Sequence, residues 1–262
     1  GTIRWETNHI SAMRHLWQPR HVLVDLTGQH QFTINRAGQI HHFIHDNDQA
    51  ISSIETDEEG RLRLLSLDLT SPKLKFDNKA TAQGKRLQIR AGRKPISARN
   101  MDLALRGDQI TFSETFLNRN LNAQWRNIRL LDLNTTVTGL PDDMATAILV
   151  SQWRDGGGTV EVRQLRLQWG EVDITAKGSL ALDEQMRLIG ALTAQIKGHE
   201  KLIDLAVVTG DLRDGGVVAA RAVLGLLAAA GGGILSVPVR LQDGQLFLGP
   251  AVIAKLQPLP LD

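Results

Sequence analysis

The histidines near the start of the chain are the first residues whose types and spacing could form a metal-binding site. The short stretch "HHFIHDND" places the potential metal ligands His41, His42, His45 and Asp46 close together. On a β-strand the first and third of these histidines lie on the same face, so His21 or His30 on a neighbouring strand could complete a divalent-metal site. The alternative is a set of solvated polar positions around a buried Phe43. Because such spacings often arise by chance, we predict no bound metal and keep a metal-dependent hydrolase as the least favoured function.

A basic segment between Lys73 and Arg99, in which Asp77 is the only acid, is the second candidate. Its central members form a candidate basic patch: Lys85, Arg86, Arg90, Arg93 and Lys94. Gathered on one sheet face, they would attract the phosphate head groups of lipids, whereas simple alternation with Leu87 and Ile89 would turn them to water. The chain as a whole has 30 Lys and Arg against 28 Asp and Glu, so any attraction to polyanions must come from a local patch. Since no aromatic stacking platform stands beside the patch, we do not expect nucleic acid as a partner.

Recognisable catalytic motifs are absent from the sequence. There is no nucleophile elbow and no paired-histidine zinc motif, and the glycine-rich "RDGGGTV" lacks the Lys-Ser/Thr pair with which a phosphate loop grips its ligand. The chain also contains no Cys, which excludes disulfides, thiolate metal sites and Cys nucleophiles. We therefore expect a protein that is not an enzyme and that uses no cofactor.

The elements that position any site are strands, because apolar and polar residues alternate with a period of two through most of the chain. This pattern predicts a mainly β (α+β) protein, a long curved antiparallel β-sheet meander with a few short helices packed on one face of its C-terminal half. Strand segments punctuated by Gly and Pro occupy residues 1–140, and clearer hairpins occupy residues 141–262. We expect these two regions to share one continuous sheet.

Turn signals set the register of several predicted hairpins. Two-residue turns at Asp243-Gly244 and Gly170-Glu171 bring apolar residues of their flanking strands opposite one another. A similar turn is predicted at Gly107-Asp108, and a three-residue loop over 183–185 joins the next strand pair. These registers are self-consistent, because each keeps apolar residues on one face.

Residues 159–197 are predicted to form a meander with one apolar face and one wet face. The apolar face supplies a candidate groove for lipid or another apolar ligand: Leu165, Leu167, Trp169, Ile174, Leu180, Leu188 and Leu192. Apolar surface of this kind, left uncovered by the few helices, is typical of ligand grooves and membrane contacts.

Helical patterns are confined to three segments. The first begins near Pro141, although this segment could also extend as a strand, and the second is "HEKLIDLAVV". The third is the alanine-rich run Val217–Ala230, which at about fourteen residues is shorter than the roughly 18 needed to cross a bilayer. We predict that it is a core helix laid on the sheet, stopped by the glycines after Ala230, with Arg221 reaching toward solvent.

Five short motifs mark the second half of the chain: Trp-x-x-Gly-Gly-Gly at Trp153–Gly158, Leu-x-Trp-Gly at Leu167–Gly170, Gly-x-Leu-x-Leu-Asp at Gly178–Asp183, Leu-Ile-Asp at Leu202–Asp204, and Asp-Gly-x-Leu-x-Leu-Gly-Pro at Asp243–Pro250. With these motifs the chain resembles a Gram-negative envelope family known only as the domain of unknown function with the number twenty-one twenty-five. The resemblance covers roughly the last 110 residues well and the earlier part loosely.

The resemblance implies a periplasmic protein that is anchored to the inner membrane by an N-terminal segment preceding Gly1. The C-terminal half is also similar in style to AsmA-like proteins, whose curved sheets are associated with lipid handling and outer-membrane assembly. Together these features predict a non-enzymatic envelope protein that binds lipid or another apolar ligand, in lipid transport or outer-membrane maintenance. The alternative is a protein-interaction scaffold of an envelope complex, which would use the basic patch or an unpaired strand edge at Pro238.

Overall fold

The protein is mainly antiparallel β-structure, as the sequence predicts. Strands make up 61% of the computed structural model and helices 15%. The structure describes residues 2–14, 16–36, 39–94, 97–114, 123–140, 150–210, 214–249 and 251–259. The start of the first predicted helix, around Pro141, lies outside these residues.

The chain divides into two compact units, each assembled from two stretches of sequence. The first unit comprises Gly1–Gly92 and Ala104–Leu131, and the second comprises Arg93–Leu103 and Asp132–Asp262. A boundary at residue 140, and one continuous sheet through both regions, stay predictions.

The first unit contains two antiparallel ladders. One ladder pairs strands β2, β3, β6, β7 and β10, and the other pairs β1, β4, β5, β8 and β9. The strands, in chain order, are β1 (Thr2–Thr7), β2 (Ser11–Arg14), β3 (His21–Asp25), β4 (His30–Arg36), β5 (Gln39–Asp46), β6 (Gln49–Thr56), β7 (Leu62–Thr70), β8 (Lys73–Phe76), β9 (Lys79–Gln83) and β10 (Arg86–Lys94). Two longer strands, β11 (Ser97–Phe112) and β12 (Asn127–Thr138), contribute residues to both units, and a 3₁₀ helix at Ala123–Arg126 precedes β12.

The hairpin turn predicted at Gly107-Asp108 is wrong, because β11 continues through it. The distortion is local: Gln109 has a φ of 52°, and the strand resumes its pairing at Thr111, opposite β9. Just before the distortion, the backbone N–H of Lys85 donates to the Asp108 carbonyl at 2.9 Å. Pairing on either side of the irregular residues therefore keeps the strand from folding back. The residues that predict a turn form a bulge-like irregularity within the strand instead.

The second unit is a meander that carries the α-helices. Strands β13 to β18 pair in chain order, each with the next. These strands and the helices are α1 (Val150–Asp155), β13 (Thr159–Trp169), β14 (Val172–Leu182), β15 (Leu188–Lys197), α2 (His199–Val208), α3 (Asp214–Ala230), β16 (Leu235–Gln242), β17 (Gln245–Leu248) and β18 (Ala251–Lys255). The turns predicted at Gly170-Glu171 and Asp243-Gly244 are confirmed with their register.

The loop between β14 and β15 has five residues rather than the predicted three, so that Leu182 lies opposite Leu188. Asp183 organises it: Oδ1 accepts the backbone N–H groups of Gln185 and Arg187 at 2.9 and 2.8 Å. Oδ2 accepts the Arg187 Nε–H at 2.7 Å. The register is displaced by two residues, which is one full period of a strand, and every side chain keeps its predicted face.

Removal of the Asp183 charge is expected to weaken the fold in a pH-dependent way. Burial raises the pKa of the Asp183 carboxyl, but the hydrogen bonds and charge of Arg187 outweigh it and hold that pKa below its ordinary value. The stabilisation is therefore complete above the unfolded pKa of roughly 3.9 and disappears as the pH falls through the folded pKa. We expect Asp183→Asn to lower the free energy of unfolding by about 1–2 kcal/mol at pH 7.

Urea unfolding of the wild type and the variant at pH 7, 5 and 3 measures this effect. The difference should shrink below about pH 4. Glu184→Gln, at the exposed neighbouring position, serves as the control and should change little. Equal stability of the wild type and Asp183→Asn at pH 7 would contradict the role of Asp183.

Helix α3 packs on β16 and on α2, but only a narrow line of it is core. Leu224 is fully buried and Ala228 is 3% exposed, whereas Leu226 is 75% exposed. The prediction of a core helix is thus correct only along this line, whereas Arg221 reaches solvent as predicted, with its side chain 57% exposed while it pairs with Asp204. The glycine stop is confirmed, since Gly233 N–H donates back to the Ala228 carbonyl at 2.8 Å. Within the described residues, no helix combines the length and apolarity needed to cross a membrane.

Strand β16 is not an edge strand, which corrects the expectation drawn from Pro238. It pairs with β15 on one side and β17 on the other. The Pro238 carbonyl accepts the Gly249 N–H at 2.9 Å, so the proline nitrogen also lies on the β17 side. Because β17 ends at Leu248, no ladder hydrogen bond is required of that nitrogen.

Candidate functional site

The seven predicted groove residues all lie on one face of the second unit. Along β14, alternate residues from Val172 to Leu182 point to the same side, and residues directly opposite them on neighbouring strands share that side. Ile174 and Leu180 belong to β14 itself. The other five lie opposite members of this row: Trp169 opposite Val172, Leu167 opposite Ile174, Leu165 opposite Ala176, Leu192 opposite Gly178, and Leu188 opposite Leu182.

A β-bulge in β13 lets this face continue along the whole strand. The register between β13 and β14 shifts between Val162 and Leu165, so both residues face the apolar side although they are three positions apart. Without the extra residue, either the first or the second half of β13 would turn its apolar side chains to the wet face.

Coverage of the apolar face is graded across the sheet. Near α2 and α3 it is core, because Ile196 on β15 and Leu235 on β16 are at most 3% exposed. All seven groove residues are only half-buried. Other residues of this face on β13 and β14 are at most 8% exposed, namely Val162, Val172, Ala176 and Leu182. Accessible hydrocarbon is therefore limited to the half-buried side chains between them.

Two glycines remove side chains from the middle of this face. Gly178 and Gly190 have φ values of 154° and 139°. Gly178 lies opposite Leu192, and Gly190 lies opposite Leu180. On the β14–β15 side, these two groove leucines thus have no side chain directly across from them, although Val239 and Val160 lie opposite them on their other neighbouring strands.

The dimensions of the face suit an alkyl chain. The four residue steps from Leu165 to Trp169 cover about 13 Å at the rise of a β-strand. One leaflet contributes roughly 15 Å to the hydrocarbon core of a bilayer, so a single acyl chain matches this length. The opposite face has different chemistry, since a cleft of about 420 Å³ there is bordered mainly by polar and charged residues: Gln164, Arg166, Asp173, Thr175, Gln195, Lys197 and Ile234.

The predicted basic patch is not gathered on one face. Arg86 and Arg90 point to one side of β10, and Arg93 alternates to the other. Arg86 is neutralised by Asp68, with 2.8 Å between Nε and Oδ1, and this contact holds the pKa of Asp68 below its usual range. Lys85 precedes the strand, and the side chain of Lys94 lies outside the described residues. A concentrated phosphate-binding surface does not follow from this arrangement.

The histidine-rich segment contributes to packing and hydrogen bonding. His41 and His45 share a face of β5 but have different partners: His41 lies 3.3 Å from Asp77, and His45 stacks on His30 with ring centroids 6.2 Å apart. Burial, followed by the effect of His30, lowers the pKa of His45. Nε2 of His30 donates to the Leu26 carbonyl at 2.6 Å. Among the residues that the structure describes, no three His, Asp or Glu side chains are grouped to hold a metal ion.

An aromatic row in the first unit escapes sequence reasoning. Trp5, Phe32, Phe43 and Phe76 lie opposite one another across β1, β4, β5 and β8. The Trp5 and Phe32 rings are nearly parallel, at 5° and 6.1 Å between centroids, and Phe43 and Phe76 are 4.7 Å apart. Period-two spacing predicts on which face of its own strand each aromatic residue lies. Only the pairing of β1 with β4 and of β5 with β8, strands distant in sequence, joins these four residues into a row.

Trp153 explains one of the sequence motifs on which the resemblance rests. Its Nε1–H donates to the Thr138 carbonyl at 2.7 Å. The indole ring lies directly over Gly158, where a Cβ atom would approach it to 2.2 Å. The Trp-x-x-Gly-Gly-Gly stretch therefore reverses the chain after α1 and leads it into β13, with the third glycine accommodating the ring.

Comparison with known proteins assigns the chain to a family without extending the assignment to a function. No curated protein and no solved structure matches it. One family model matches residues 1–257, almost the whole chain. The protein therefore belongs to the bacterial family described as "Uncharacterized protein conserved in bacteria (DUF2125)".

Proposed function

We propose that the apolar face of the second unit binds acyl chains of a lipid and that the protein is not an enzyme. The observation that carries the proposal is the position of the seven groove residues: one face, half-buried, with two glycines between them. Soluble proteins normally bury such contiguous hydrocarbon or use it for binding. An acyl chain requires no hydrogen bonds, which agrees with a lining that offers almost none.

The proposal includes a setting in the cell. We propose that the protein faces the periplasm, is held at the inner membrane by an N-terminal anchor, and serves lipid transport or outer-membrane maintenance. This setting rests on the sequence resemblance and is tested separately from binding. In cells, the protein should stay with inner-membrane fractions and become accessible to protease once the outer membrane is opened. Protection from protease in intact spheroplasts would contradict it.

Extraction of the purified protein followed by lipid mass spectrometry tests the binding directly. We expect roughly stoichiometric acyl lipid in the wild type. The double variant Leu167→Gln and Ile174→Thr changes an opposed pair at the centre of the face, and we expect its lipid content to fall about tenfold or more.

The matched control lies one residue away on the same two strands. Arg166 and Thr175 are also directly opposed, but on the wet face. Arg166→Gln with Thr175→Val should leave lipid content unchanged, and thermal unfolding of both variants separates a binding defect from a folding defect. Lipid-free wild type, or equal loss in both double variants, would refute the groove; capture of one protein partner by lipid-free wild type would support the scaffold alternative.

A further inference from the structure

Helix α3 exposes aliphatic side chains on its outer surface, in a region separate from the groove residues. In an ordinary surface helix the apolar stripe faces the core and charged residues face water. Here the buried line is narrow, and apart from Arg221 the large exposed side chains that the structure describes on α3 are aliphatic. On α3 and the end of α2, six of them are between 39% and 75% exposed: Val207, Val208, Val218, Val223, Leu226 and Leu227.

The charged residues of α3 also differ from those of an ordinary surface helix, where they face water. Arg221 is the only residue between Gly215 and Ile234 whose side chain can form a hydrogen bond. It points toward α2, where NH2 donates to Asp204 at 2.8 Å. Between Gly216 and Ala230, α3 therefore carries no charged or hydrogen-bonding side chain other than Arg221, which is 57% exposed beside Asp204.

We propose that this outward side docks onto the surface of a lipid bilayer, with Val218 and Leu226 entering the acyl region. A protein interface carries about one hydrogen bond per 100–200 Å², whereas between residues 216 and 230 only Arg221, already paired with Asp204, could supply one. The six side chains expose on the order of 400 Å² of hydrocarbon. That is about half of the roughly 800 Å² per partner of a standard protein interface, so a second copy of the chain is the weaker candidate.

The length and attachment of α3 define how it would lie. Seventeen residues span about 25 Å, less than the roughly 30 Å of a bilayer core. Leu224 and Ala228 hold the inner side on the sheet, which keeps the helix axis along the protein surface. Such a helix meets a membrane side-on, with its apolar face in the interface.

Flotation with lipid vesicles tests the proposal. Two compositions are used, phosphatidylcholine alone and phosphatidylethanolamine with phosphatidylglycerol at about three to one. The double variant Val218→Gln and Leu226→Gln should reduce partitioning into both by at least tenfold. The matched control is Val252→Gln, since Val252 is also an exposed aliphatic residue of the second unit but lies on the wet face, opposite Phe247.

A second measurement does not depend on variants that weaken binding. Because the chain has no Cys, Leu226→Cys introduces a unique site for a nitroxide label. Addition of phosphatidylcholine vesicles should raise the collision rate of this label with oxygen and lower that with a water-soluble nickel complex. A label at Val252→Cys should show neither change.

Three outcomes overturn the proposal. The first is unchanged partitioning of the Val218 and Leu226 variant; the second is a label at position 226 that stays in water when vesicles are present. The third is a wild type that does not bind vesicles but forms a concentration-dependent dimer in sedimentation experiments, when the Val218 and Leu226 variant does not form this dimer. The groove is tested independently, because Leu167→Gln with Ile174→Thr should leave vesicle partitioning intact.

Discussion

Gly190→Ala is expected to lower the free energy of unfolding by more than about 3 kcal/mol, the largest effect of any single substitution considered for this protein. Gly190 has a φ of 139°, a conformation that residues with a side chain rarely adopt. Its Cβ atom would lie 2.2 Å from the Ser179 carbonyl oxygen on β14. The obstacle is backbone within a paired ladder, so relief requires separating β14 from β15. Gly178→Ala should behave alike, because its Cβ atom would lie 2.2 Å from the Ala191 carbonyl oxygen.

Urea unfolding monitored by tryptophan fluorescence and by circular dichroism measures this effect. Gly92→Ala is the matched control: it is also a strand glycine, but its Cβ atom would meet the end of the Leu64 side chain at 3.4 Å and the Arg63 carbonyl oxygen at 3.7 Å, both ordinary van der Waals contacts. We expect that control to stay within about 1 kcal/mol of the wild type. Wild-type stability of Gly190→Ala would show that the β14–β15 ladder is not held as described.

Leu224→Ala is expected to cost about 3–4 kcal/mol, the second-largest effect. Leu224 is fully buried and is the main side chain that fixes α3 to the sheet. The substitution leaves a cavity over β16, where Leu235 and Val237 form the floor of the core. Partial release of α3 should follow, with faster amide hydrogen exchange in residues 216–230 than in β14 or β15.

The same helix supplies the control for this substitution. Leu226 is 75% exposed, so Leu226→Ala makes the identical chemical change without a cavity and should alter stability by less than about 0.5 kcal/mol. A milder variant, Leu224→Met, conserves volume and should recover most of the loss. If Leu224→Ala and Leu226→Ala were equally stable, α3 would not be anchored through Leu224.

The faces of the β13–β15 meander could be predicted because they depend on local information. Alternation assigns each residue of a strand to a side, and the turn at Gly170-Glu171 sets the register of its own hairpin. Even the wrong loop length after Leu182 did not disturb the assignment, since the error was one full period. The same reasoning failed at Gly107-Asp108, where contacts with β9 and β10, remote from the turn signal in sequence, override a local preference.

Residues that meet through distant strands could not be predicted in this way. The aromatic row depends on the pairing of β1 with β4, and the neutralisation of Arg86 on β10 depends on Asp68 of the neighbouring strand β7. Nothing in the local pattern around either strand specifies its partner, because a strand of given periodicity pairs equally well with many others.

The sequence by itself determined that the chain is mainly antiparallel β-structure, which side of each C-terminal strand is apolar, and where its glycine-bounded helix ends. Only the tertiary structure decided how much of that apolar surface is covered. Leu167 and Leu235 have the same residue type and face the same side, yet Leu235, near α2 and α3, is fully buried, whereas Leu167 is half-buried. The physical reason is that alternation is a property of one strand, whereas burial depends on what packs above the sheet.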